Sequence, residues 1–310
     1  MPYFQAVLIF LLIAPMPACQ SAKPRPRQLD AVVIEQTNFQ EVHFSNAEQG
    51  LDLAGMLFLP QGQGPFPAAA IIHGSGTSTR SNGWYLTLAT YLQDNHIAVL
   101  LPDKRGSERS EGDWRTASFE DLASDTIAAI EFLRGNSQID ASRVGAIGLS
   151  QGGHFVPLVA NRAADLAFVV NMVGSAVPMH AGLIYEEKHN LREAGVPGLF
   201  ANFLAYPSAW SIIYLRQRKF WNAIGNFDPL PHWNKVSRPA LVLYGENDTN
   251  VSSAESVALL NSLDNPNITV NLYQNSGHAL ESPPGEGNSI IREDALRDIA
   301  QFIHAAVTQN

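Results

Sequence analysis

The chain has 310 residues, enough to bury one large core and to carry a smaller appended unit. Hydrophobic residues make up 45% and charged residues 16%, a balance that excludes wholesale disorder. The formal charge of −9 speaks against nucleic acids and anionic surfaces as partners of the chain as a whole, and no internal repeat suggests a solenoid or propeller.

The first 22 residues, MPYFQAVLIFLLIAPMPACQSA, differ in character from the rest. Ala6 to Ala14 is an unbroken apolar run, shorter than the roughly 20 residues of a membrane span. Small residues follow at Ala18 and Ala22, the arrangement of a secretory signal. The stretch MPAC also resembles a bacterial lipoprotein processing site, in which Cys19 would be lipidated and become the new N-terminus. As the sole cysteine, Cys19 has no intramolecular disulfide partner, which suits a tether. Residues 1–19 are therefore expected to be an export signal, of lipoprotein type or plainly cleaved, with an uncleaved anchor as the alternative. Residues 20–29 read as a polar, Pro-rich linker. The protein would be periplasmic, or anchored to the outer membrane, if its source is bacterial.

Beyond Gln40, strand and helix patterns alternate. EVHFS and GMLFLP read as a hairpin turned at NAEQG. FPAAAIIHG is a continuous apolar run of strand length that ends in glycine, as buried parallel strands do. IAVLLPD, RVGAIGLS (Arg143 to Ser150), AFVVNMVG, PALVLYG and ITVNLYQ repeat that style. Between them lie the helical stretches GWYLTLATYLQDN, SFEDLASDTIAAIEFLRG, SAESVALLNSLDN and REDALRDIAQFIHAAV. The second opens with Ser118 and has Asp121 three residues on, in the manner of a capping box. This alternation predicts an α/β fold with a doubly wound, mostly parallel sheet flanked by helices, its core split into residues 30–174 and 236–310.

The interval 175–235 breaks the alternation. It carries no strand pattern but holds Phe200, Phe203, Tyr206, Trp210, Tyr214, Phe220, Trp221 and Phe227. It is expected to be a helical cap whose rings mostly form its own core. Trp210 and Trp221 are the candidates for facing a substrate beneath it.

Ser150 lies in GLSQGG, between a buried strand and a helix. A G-x-S-x-G turn there is sharp enough to strain the serine and to require the small residues Gly148 and Gly152. It aims the first helical N–H groups at the serine. A serine nucleophile needs a base, and the base needs an orienting acid. Asp248 in YGENDTNV stands just past the end of a strand, where α/β sheets collect function, and is preferred to Glu246 and Asp228. His278 in NSGHAL follows the last strand. His73 precedes the serine, His154 lies one turn along its helix, and His304 sits in the terminal helix. The remaining need is an oxyanion hole, predicted from the backbone N–H groups of Ser75, in HGSG, and Gln151.

HGSG, PDKRGSERSEGDW, GLSQGG, YGEND and SGH together resemble the bacterial esterase branch of the α/β-hydrolase superfamily, which also contains cap-bearing aminopeptidases and acylglycerol lipases. The resemblance runs from about Glu41 to the C-terminus. It implies Ser150 as nucleophile, Asp248 as acid and His278 as base, and structural hydrogen bonds for Asp103 and Arg105. Where relatives often have a second glycine, this chain has Glu108. No metal-ligand spacing, thiol pair or nucleotide fingerprint stands out, and the chemistry implied needs no cofactor.

The expected activity is cleavage of small carboxylic esters with short to medium acyl chains. A serine aminopeptidase or amidase is the runner-up, with Glu186, Glu187 and Glu193 able to hold an α-ammonium unless they form a solvated helical face. A non-catalytic, ligand-binding surface lipoprotein is the alternative from another class. A prolyl-oligopeptidase type is disfavoured because no room exists upstream for a propeller. Acyl length and oligomeric state are left open.

Overall fold

The computed structural model describes residues 31–163, 165–281 and 290–308. The expected signal, Cys19 and the linker lie outside them. Eight strands form one sheet: β1 (Gln40–Asn46), β2 (Leu51–Phe58), β3 (Phe66–Ile72), β4 (Ala98–Pro102), β5 (Ile139–Leu149), β6 (Val169–Met172), β7 (Ala240–Gly245) and β8 (Ile268–Tyr273). Their order is β1-β2-β4-β3-β5-β6-β7-β8. The β1–β2 hairpin and the β2–β4 pair are antiparallel, and every pair from β4 to β8 is parallel. The doubly wound, mostly parallel sheet read from the sequence is present.

The continuous apolar strands are explained by burial on both faces. Along β3, Ala68, Ala70 and Ile72 join the core layer under α2 (Phe119–Arg134) and α3 (Gln151–Arg162). Ala69 and Ile71 point the other way, into the layer under α1 (Gly83–Asp94) and α9 (Glu293–Thr308). β5 starts four residues earlier than its apolar run suggests. Ile139 pairs with Phe66 before a register irregularity, after which Val144 pairs with Ala68. The polar segment between therefore belongs to the strand through backbone pairing rather than through burial.

Between β6 and β7 the chain forms four helices: α4 (Met179–Glu193), α5 (Gly198–Ser211), α6 (Arg218–Ile224) and α7 (Leu230–Trp233). A π-helical turn at Ile212–Arg216 links α5 to α6. The interior of this region corrects the expectation for its rings. Ala201, Ala205 and Ala209, spaced four apart, are the buried residues of α5, whose neighbour is α4. Phe200, Phe203, Tyr206, Trp210 and Tyr214 are left outside, with Phe203 at 69% and Trp210 at 54% exposure. Alanines allow close helix approach, so the large side chains have no room between the helices. Of the eight rings named from the sequence only Trp221 is buried, with Phe220 and Phe227 half-buried, and Trp233 of α7 is buried as well.

Glu108 adopts φ +49°, the conformation a glycine would take without strain, and its carboxylate accepts a hydrogen bond from the Arg80 N–H at 3.1 Å. The Ser118 cap is formed in both directions. Asp121 N–H donates to Ser118 Oγ at 3.1 Å, and Ser118 N–H donates to Asp121 Oδ2 at 2.9 Å. Replacing Ser118 by alanine removes one partner of this pair and should cost about 1 kcal/mol. In a chain of this size that lowers Tm by about 2 °C, measurable by calorimetry; an unchanged Tm would show that solvent substitutes for the cap.

Candidate active site

Ser150 sits at the junction of β5 and α3 with φ +51° and ψ −117°, a conformation that L-residues rarely adopt. Its surroundings show what holds it there. A Cβ on Gly148 would lie 2.4 Å from the Gly152 carbonyl oxygen, and one on Gly152 would lie 2.3 Å from that of Ile72. Gly153 is equally confined, its added Cβ falling 2.0 Å from Asn171 Oδ1. The glycines of GLSQGG are therefore a packing requirement that lets α3 start directly against β3.

The hydroxyl projects toward His278, with Ser150 Oγ 2.9 Å from Nε2. Nδ1 of the same ring lies 2.8 Å from Asp248 Oδ2. With the imidazole neutral, the Ser150 hydroxyl donates to Nε2 and Nδ1–H donates to the carboxylate. Asp248 is 2% exposed, and its other oxygen accepts N–H bonds from Asn250 at 2.8 Å and Val251 at 2.9 Å. The turn after β7 thus anchors the carboxylate. The rival acids are engaged elsewhere: Glu246 accepts from the Asn275 N–H at 3.4 Å and Asp228 from the Leu230 N–H at 3.0 Å. The Trp84 indole donates to the Ala279 carbonyl at 3.1 Å and fixes the loop that carries the imidazole.

The other histidines are placed differently. His304 is exposed and contacts the Asn95 carbonyl. His73 is buried, its Nε2–H donating to the Pro102 carbonyl at 2.5 Å, and burial lowers its pKa to about 4. His154 lies at the cavity wall with Nδ1 3.1 Å from the Ser150 carbonyl oxygen, and burial likewise lowers it to about 4. Their ring contacts are to backbone carbonyls, and His278 is the imidazole bonded to the Ser150 hydroxyl.

Three residues that the sequence does not single out frame the site, two of them at the loop after β3. The Gly74 N–H donates to the Tyr85 hydroxyl at 2.8 Å, so it is already used within the protein. Burial raises Tyr85 to about 12 and keeps it a neutral phenol. The buried Lys104 ammonium donates to the Gly74 carbonyl at 2.8 Å, the Gly76 carbonyl at 3.1 Å and Gln151 Oε1 at 3.2 Å. It also lies 5.0 Å above the Trp114 ring. Burial pulls its pKa down to about 7, while these acceptors and the ring face favour the charged form. Lys104 is thus a strut between the HGSG loop and the first residue of α3. Its signal in the sequence was its place in DKRG. The flanking residues are occupied structurally: Asp103 accepts from Arg80 at 2.9 and 2.8 Å, and Arg105 donates to Asp125 at 2.6 and 2.8 Å. The third residue, Tyr185 of α4, donates its hydroxyl to the Asp248 carbonyl at 2.8 Å and joins the cap to the acid loop.

A cavity of about 310 Å³ opens over Ser150 and His278. Ser75 and Gln151 line it at the base, and Met179, Leu183, Phe220 and Trp221 form apolar wall. Trp221 is therefore where the sequence placed it. Trp210 is not: it follows the inward-facing Ala209 on α5 and points to solvent. Glu186 and Glu187 line the cavity, whereas Glu193 is exposed at the end of α4. Burial raises the pKa of Glu186, and the neighbouring Glu187 charge adds to the shift. Glu187 accepts hydrogen bonds from Asn190 at 3.0 Å and from the Ser208 hydroxyl. Among the described residues, no group of three or more His, Cys, Asp or Glu side chains is arranged to hold a metal ion.

Residues 84–309 match the family model described as the prolyl oligopeptidase family. This match overturns the expectation that sets a prolyl-oligopeptidase type aside. The chain is 24% identical over 253 residues to esterase EstD of Thermotoga maritima, covering 76% of this chain and 60% of that protein. It is 26% identical over 197 residues to the uncharacterized peptidase YtmA of Bacillus subtilis, covering 64% of this chain and 70% of that one. Among solved structures, the Pyrococcus furiosus esterase Pf2001 superposes with a TM-score of 0.63 at 19% identity, over 87% of this chain and 91% of that one. At that identity the likeness is one of fold, the α/β-hydrolase fold.

Removing the strut should expose its role. Lys104→Met is expected to lower kcat for a nitrophenyl ester by about 10²-fold, since misplacement of a donor by an ångström costs that much. KM should change little. A kcat within twofold of wild type would show that the HGSG loop holds its shape without the ammonium.

Proposed function

The chain belongs to the prolyl oligopeptidase family, and we propose that it is a serine hydrolase cleaving small carboxylic esters through an acyl-enzyme on Ser150. The observation that carries this reading is the unbroken relay from Ser150 through His278 to Asp248, at 2.9 and 2.8 Å, on the floor of the cavity. Ser150 Oγ attacks the acyl carbonyl while His278 Nε2 takes its proton. Asp248 holds the ring in the tautomer that leaves Nε2 open and stabilises the imidazolium. The oxyanion is received by the N–H groups of Ser75 and Gln151; the neighbouring Gly74 N–H is committed to Tyr85, which supports Ser75 as the donor from this loop. His278 then returns its proton to the alcohol, the alcohol leaves, and water activated by the same imidazole cleaves the acyl-enzyme. Apolar walls at Met179, Leu183 and Trp221 suit short to medium acyl chains.

Ser150→Ala and His278→Ala should each lower ester turnover by about 10⁴-fold or more, and the double variant should be hardly worse than either. A fluorophosphonate should label the wild type and leave Ser150→Ala unlabelled. A wild type that takes no label and turns over no ester would favour the reading of the cavity as a binding site only.

A second reading, as an aminopeptidase, gains from Glu186 and Glu187, because they face the cavity rather than forming a solvated stripe. Two carboxylates there suit a substrate's α-ammonium. On this reading Glu186→Gln with Glu187→Gln should raise KM for aminoacyl nitroanilides by about tenfold, the worth of a charge-assisted pair, and shift selectivity toward neutral esters. Selectivity that does not move would remove the ammonium from the account. The leader supports a further part of the proposal, export of the chain with Cys19 as the point of lipid attachment.

A further inference from the structure

The cap presents an outward face that folding does not explain. On α5, alanines point in, while Leu199, Phe200, Phe203, Tyr206 and Trp210 are exposed on the outside, followed by Tyr214 and Leu215 in the π-turn. A soluble surface helix is normally built the other way round, and contiguous apolar surface of this extent marks a contact site. The charge of this segment is one-sided. Although the chain carries −9 overall, the segment from Ala194 to Phe227 contains no Asp or Glu, and its charges are Arg216, Arg218 and Lys219. All three are exposed where the apolar face ends. Lys188 of α4 adds a fourth cation at its rim, 5.7 Å above the Tyr206 ring.

We propose that this face of the cap docks in the interfacial layer of a phospholipid bilayer, with α5 lying in the membrane plane and its cationic end among anionic headgroups. Aromatic rings with polar edges next to Lys and Arg are the composition of an in-plane interfacial helix. None of the described helices is long and apolar enough to cross a membrane. A second copy of the chain fits less well, since a two-fold contact repeats the same patch, with Arg216, Arg218 and Lys219, on both partners. The start of the described chain agrees. Ala31 lies against Gly83 at the beginning of α1, and the next residue, Trp84, bonds to the loop carrying His278. The described chain therefore begins at the end of the sheet that carries the site and the cap, and a lipid on Cys19 would be attached twelve residues earlier in the sequence. The docking face itself requires neither that lipid nor the proposed ester chemistry.

The test uses the full chain bearing Cys19→Ser, so that no acyl chain can be attached, and vesicles of phosphatidylethanolamine with phosphatidylglycerol. The protein should float with the vesicles, and its tryptophan emission should be quenched by bromine placed on the lipid chains. Phe200→Ser with Phe203→Ser should weaken partitioning by about tenfold or more, and Arg218→Glu with Lys219→Glu should also weaken it and lessen its dependence on salt. Trp210→Ser should remove most of the quenching. Hydrolysis of a soluble nitrophenyl ester and the melting temperature show that each variant is folded. Partitioning that the phenylalanine substitutions leave untouched would assign binding to the leader and overturn the proposal. Quenching that survives Trp210→Ser would do the same. So would a concentration-dependent dimer that those substitutions abolish, in a protein that ignores vesicles, because a second copy would then be the occupant.

Discussion

Everything at the site depends on one strained junction. For Ser150 to stand at φ +51° between β5 and α3, the first turn of α3 must press against the ends of β3 and β6. Backbone takes the place of side chains there: Gly148 meets Gly152, Gly152 meets Ile72, and Gly153 meets Gly174. The Ser150 N–H is spent on the Met172 carbonyl at 2.9 Å, which pins the turn to β6. Asn171, fully buried, braces the far side by bonding both the N–H and the carbonyl of Gly174, and the Tyr244 hydroxyl donates to the same carbonyl. Strain of this kind, worth on the order of 1–3 kcal/mol, persists only where the surroundings over-determine it. Here four glycines and a buried amide do so.

Charge is arranged around that junction with similar economy. The Asp248 carboxylate is held by two backbone N–H groups on one oxygen, which leaves the other aimed at His278 Nδ1. Two further imidazoles lie nearby, but burial keeps His73 and His154 uncharged down to about pH 4. The buried cation, Lys104, stands on the side where negative charge would develop on an acyl oxygen. It reaches that region through carbonyls and an amide, as part of the frame around the reacting groups.

Much of this was legible in the sequence because it rests on local rules. Parallel strands buried on both faces have to be apolar throughout, so the inner strands are visible as runs, whereas the edge strand β8 buries only Tyr273; Ser150, Asp248 and His278 follow β5, β7 and β8. The misses have physical reasons. The early start of β5 is set by pairing with Phe66, which leaves no hydrophobic trace in Asp140 to Arg143. The importance of Lys104, Tyr85 and Tyr185 lies in contacts across the fold, between residues 30, 11 and 63 positions apart. The aromatic stripe of α5 misled most. A run of rings reads as interior because burial usually claims them, yet the small residues spaced four apart are the true inward face. Alanine periodicity was the available signal, and it pointed the opposite way.

The insertion of α4 to α7 between β6 and β7 separates two kinds of inheritance. The reacting groups hang from the ends of β5, β7 and β8, and the oxyanion loop from β3, while the cap reaches them through side chains such as Tyr185, Glu186 and Trp221. The cap adds no strand to the sheet and sets no register. What ties the cap to the sheet is therefore a few side chains, such as Tyr185 on the Asp248 loop, and the residues of the cap that make no such contact are released from the geometry of the strands.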